Sequence, residues 1–83
     1  MLTGSAQYWR EQQLTPEQQL GHIAEEYAAK IRVAFPIATP EQLQDHVADF
    51  APIAAASFRR RFGCEPCAPI AEAIAEAVFR ARA

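Results

Sequence analysis

Eighty-three residues, 51% hydrophobic and 22% charged, describe one folded domain, too short for two independent cores. A net charge of −2 argues against a general nucleic-acid binder, which would carry a basic excess. No apolar run approaches the roughly 18 residues a membrane helix needs, and Met1-Leu2-Thr3-Gly4-Ser5 lacks the basic and apolar regions of a secretory signal, so a bacterial-type cytoplasmic protein is expected.

The predicted fold class is all-α. Much of the apolar share is alanine, the best helix former, and strand-favouring residues are scattered without alternation. Ser5–Gln13 reads as a short N-terminal helix or arm holding Tyr8 and Trp9. Thr15-Pro16-Glu17-Gln18 and Thr39-Pro40-Glu41-Gln42 are the same tetrapeptide. In each, Thr caps a helix, Pro takes the first helical position, and Gln reaches back to close a capping box. From Pro16, the stripe Leu20, Ile23, Ala24, Tyr27, Ala28, Ile31 and Ala34 or Phe35 predicts an amphipathic helix, with Glu26 and Lys30 spaced to pair on its outer side. Pro36 ends it, and the link Ile37-Ala38 is expected to pack inward.

The next helix begins at Pro40 and carries Leu43, Val47, Phe50, Ala54, Phe58 and Phe62 on one side. Pro52 removes a backbone hydrogen bond, which predicts a kink or break nearby. Arg59, Arg60 and Arg61 complement the negative helix end, and Gly63 suits a left-handed cap. A last helix from Ala68-Pro69 buries Ile70, Ala71, Ile74, Ala75, Val78 and Phe79, and turns Glu72, Glu76 and Arg80 outward. The expected whole is a single helical domain, residues 1–83. Residues 1–14 form a short helix or arm and 15–83 the helical core. This is a compact bundle of about four helices, the third kinked or broken near Pro52.

Candidate chemistry is sparse. Cys64-Glu65-Pro66-Cys67 has the spacing of a redox pair at a helix start, where the dipole lowers thiol pKa. The strand that precedes such a pair in thioredoxin-like folds is missing from the pattern, and the plainer reading is two small cysteines in an interhelical turn. Together with His22 and His46 the pair completes a two-Cys, two-His set for zinc, although the histidines stand singly on different helices. The carboxylates lie on outer helix sides, neither histidine sits by motif beside a nucleophile, and the three glycines are isolated. The sequence therefore points neither to an enzyme nor to a cofactor.

Arg59, Arg60 and Arg61, framed by Phe58 and Phe62, are the nucleic-acid candidate, since arginine forks clamp phosphates and read guanine edges. The stretch Phe58…Gly63…Pro66 resembles the signature of AraC-family transcription activators. There, an arginine-rich helix with a core Phe is followed by Gly and then by Pro at the next helix. The resemblance covers about residues 50–69 and implies a DNA-binding regulator. It departs at Pro69, where that family has an aromatic, and in a chain too short for paired helix-turn-helix units. The plainer reading of the arginines is a turn that complements the helix dipole.

Tyr8 and Trp9 beside Arg10 have the composition of a protein-binding hot spot, and read equally well as a lid on the bundle's open end. The leading expectation is a small non-enzymatic regulator or inhibitor that occupies another protein's surface, with Tyr8, Trp9 and Arg10 as its partner-binding residues. A homodimer through the final helix or the Tyr8-Trp9 region also fits. Phage and mobile-element accessory proteins, the anti-CRISPRs among them, share this size and character. The alternatives are a DNA-binding regulator using Arg59–Arg61 and a zinc- or redox-linked module using Cys64 and Cys67.

Overall fold

The two Thr-Pro-Glu-Gln segments start helices by the predicted chemistry. In the computed structural model, which describes residues 14–80, the Gln18 N–H donates to Thr15 Oγ1 at 3.1 Å and the Thr15 N–H donates to Gln18 Oε1 at 2.9 Å. Thr39 and Gln42 repeat the pair at 3.2 and 2.9 Å. Each box satisfies two amides that a helix start would leave unpaired. Helix α1 spans Pro16–Ala34, α2 spans Pro40–Phe62 and α3 spans Ile70–Arg80.

Among the described residues there are thus three helices where about four were expected. The expected helix over Ser5–Gln13 lies outside the described residues. Helix α3 packs against both α1 and α2, which also pack against each other. The core comprises Ile23, Ala24, Tyr27, Ala28 and Ile31 from α1, Leu43, Val47, Ala54 and Phe58 from α2, and Ile70, Ile74, Ala77 and Val78 from α3. All four α1 and α2 ends follow local sequence. At the last of them Gly63 adopts φ 74°, ψ 16°, and its N–H donates to the Arg59 carbonyl at 2.9 Å.

Three expectations need correction. Of the expected kink or break near Pro52, the break does not occur: α2 runs as one helix from Pro40 to Phe62. Pro52 and Ala48, whose carbonyl loses its donor, both lie on the solvent side, where water can satisfy that oxygen. Buried residues on either side of the proline, Val47 before it and Ala54 after it, hold both halves to the same core. Phe50 is only half-buried, with its ring 6.3 Å from that of Tyr27, and the fully enclosed ring is Phe58. Lastly, Ala38 packs inward as expected but Ile37 does not: it is 93% exposed.

Candidate functional site

The α1–α2 corner is shaped by two prolines. Pro36 cannot continue α1, and it steers Phe35 out of the helical region, to φ −132°, ψ 65°. Pro40 in turn holds Thr39 extended at φ −71°, ψ 163°, the conformation a capping residue needs. The short link between them closes with the Ala38 N–H donating to the Phe35 carbonyl at 3.3 Å. In so tight a link two successive side chains cannot both face the core. Ala38 takes the inner position, and Ile37 is turned out.

At this corner the Phe35 and His46 rings stack with centroids 3.5 Å apart and planes within 8°. With Ile37, Ala38, Gln42 and Asp45 they line an open, largely apolar cleft of about 380 Å³. Val33, in the last turn of α1, is 82% exposed. Its phase lies opposite the core stripe, so this exposure follows from helical geometry. Arg32 adds a polar feature: its Nη1 is buried with no hydrogen-bond partner among the described residues. An enclosed, unpaired guanidinium nitrogen costs about 1–3 kcal/mol. The corner therefore combines an apolar cleft, exposed aliphatic side chains and an unsatisfied donor.

The arginine turn is organised differently. Arg61 reaches across to α1 and donates from Nη1 and Nη2 to the two carboxylate oxygens of Glu26, at 3.1 and 3.4 Å. Lys30 Nζ lies 3.9 Å from Glu26 and 4.6 Å above the Tyr27 ring, so the expected Glu26–Lys30 pair exists within a larger cluster. The Arg61 hydrogen bonds hold the Glu26 carboxyl below its ordinary pKa, with burial opposing and the nearby positive charges assisting. Arg59 pairs with Glu65 at 3.4 Å, and Arg60 is exposed. Two of the three arginines are thus engaged within the chain, and Phe58 beside them is core.

Cys64 and Cys67 are free and exposed in the turn between α2 and α3. His46 is in the corner stack and His22 is exposed on α1. The four do not form one ligand set, since among the described residues no three His, Cys, Asp or Glu side chains are placed to hold a metal ion. Tyr8, Trp9 and Arg10 lie outside the described residues. Sequence reasoning missed Arg32, Val33, Ile37 and Asp45. Of these, Val33 was detectable from its helical phase, whereas the outward turn of Ile37 depends on which link residue wins the core.

No protein-family model matches the chain, and neither curated proteins nor solved structures give a match. The AraC-like pattern over residues 50–69 is therefore carried by those residues alone. No helix of the described residues is long and apolar enough to cross a membrane.

Proposed function

We propose that this chain is a small non-enzymatic regulator or inhibitor that works by docking on another protein, through the α1–α2 corner. The observation that supports it most is Ile37, almost fully exposed at the rim of an apolar cleft edged by the polar Gln42 and Asp45. Apolar surface framed by polar residues is characteristic of interaction sites. An aliphatic or aromatic side chain of the partner enters the cleft against Phe35 and His46, while Ile37 and Val33 pack around it. Tyr8, Trp9 and Arg10 remain candidates for the same contact on composition alone. Size and acidic helical character suit an accessory protein of a phage or mobile element.

The DNA-binding alternative has only Arg60 without an ion-pair partner among the described residues, and the zinc alternative has no gathered ligand set. Affinity capture from a bacterial lysate, with and without nuclease, separates these readings when wild type is run beside Arg59→Ala/Arg60→Ala. The proposal expects a discrete protein retained under all four conditions. Recovery that disappears with nuclease or with the arginine substitutions contradicts it. Arg61 is left intact because its removal would loosen the α1–α2 tie and confuse binding with folding.

A further inference from the structure

Helix α2 turns Leu43, Val47, Ala54, Ser57 and Phe58 to the core. Its opposite side presents Asp45, Asp49, Ile53 and Arg60 to solvent, all at helical spacing. Ile53 is 54% exposed, and Asp45, Asp49 and Arg60 have no ion-pair partner among the described residues. Elsewhere Glu25 pairs with Arg80, Glu26 with Arg61 and Lys30, and Glu65 with Arg59, while Glu17, Glu41 and Glu72 also stand without an ion-pair partner among the described residues.

The order of these residues along the helix matters. Asp45 stands eight residues before Ile53 and Arg60 seven after it, about 12 Å and about 10 Å along the axis. Acid and base are therefore nearly equidistant from a central aliphatic side chain. When a second α2 lies antiparallel across this face, with Ile53 against Ile53, Asp45 of each copy meets Arg60 of the other. A parallel arrangement would set Asp45 against Asp45 and Arg60 against Arg60. Half-buried Ala56 falls opposite Asp49 in the antiparallel register, and its short side chain leaves room for close approach.

We propose that the chain forms a twofold homodimer by antiparallel packing of the outer faces of α2, with Ile53 on the axis and two Asp45–Arg60 pairs flanking it. A self-complementary patch of this kind is what an isologous dimer requires. Covering the exposed face of a small domain also adds stability that its own core supplies only thinly. The final helix, an earlier candidate for the dimer contact, already gives its buried side chains Ile70, Ile74, Ala77 and Val78 to α1 and α2. The inference does not depend on the corner cleft being a docking site.

Sedimentation equilibrium of the full chain, from micromolar to near-millimolar concentration, tests it. Wild type is expected to dimerise reversibly. Asp45→Arg and Arg60→Glu each place like charges opposite one another twice, and each should weaken dimerisation about tenfold or more. Together they exchange the charges and should restore the dimer. Ile53→Glu, which sets two carboxylates on the axis, should give monomer. Circular dichroism melts confirm that these exposed-site variants fold, and Asp45→Asn serves as a milder probe that should weaken dimerisation less than Asp45→Arg. A monomeric wild type overturns the proposal and leaves the face open to a different protein. A dimer indifferent to Asp45→Arg and Ile53→Glu overturns it by placing the contact elsewhere, and so does failure of the charge exchange to restore association.

Discussion

Phe50 and Phe58 occupy the same side of α2, yet their surroundings differ. Phe58 is 1% exposed and touches Phe62 in a tilted pair with centroids 4.9 Å apart, whereas Phe50 is half-open to solvent. Phe58→Ala leaves a cavity that the three-helix core cannot close, and should cost about 3–5 kcal/mol, enough to unfold much of a domain with so small a margin. Phe50→Ala should cost clearly less, because solvent already reaches its ring. Urea unfolding of the two variants side by side checks the order, and equal losses would contradict it. At Glu26 the sign of a pH effect can be worked out. Its folded-state pKa is depressed, so its contribution is complete above the ordinary value of 4.5 and is lost as pH falls from there through the folded value. Glu26→Gln should therefore lower stability at neutral pH by about 1 kcal/mol, the upper range for a partly exposed pair. The gap from wild type should shrink in acid. A gap that widened below pH 4.5 would mean the Arg61 contact is not what holds Glu26 charged.

At the scale of elements, two backbone features make opposite predictions. Pro52 sits inside a helix on its exposed side, where it contributes no core contact and removes one hydrogen bond. Pro52→Ala should raise stability by about 1–3 kcal/mol in thermal or urea melts. Gly63 holds φ 74°, and a Cβ there would meet nothing within 4 Å, so the strain of a side chain is purely conformational. Gly63→Ala should cost about 1 kcal/mol without disturbing packing. Helix ends were the most legible part of the fold, because Thr15, Thr39, Pro36 and Gly63 act through contacts within a few residues. The buried stripes of α1 and α2 were legible too, since helical phase puts Ile23, Tyr27, Leu43 and Phe58 on one side each. What the sequence did not disclose depended on competition between residues. Continuity through Pro52 rests on core contacts made on both sides of it. The exposure of Ile37 rests on Ala38 winning the inner position.

At the scale of the whole molecule, the apolar corner and the charged outer face of α2 adjoin at Asp45. Ion pairs such as Arg61–Glu26 and Arg80–Glu25, the latter at 2.7 Å, join helices to α1 and close the bundle. The corner at the C-terminal end of α1 keeps Val33 and Ile37 exposed, and Asp45, Asp49 and Arg60 on α2 have no ion-pair partner among the described residues. Apolar surface rimmed by polar residues is the feature that supports the proposed docking role of the corner. The candidate site was therefore less legible than the fold: residue type marked Arg59–Arg61 and Cys64/Cys67, while only three-dimensional placement marks Arg32 and Ile37.

The α1–α2 corner is the proposed site of partner contact. The most direct test is affinity capture from nuclease-treated lysate with wild type and with Val33→Glu/Ile37→Glu, after matched thermal melts establish that both are folded. Since both side chains are exposed, the melts should agree within about 0.5 kcal/mol. A discrete protein captured by wild type and lost from the double variant is expected. Equal capture by the two would contradict it.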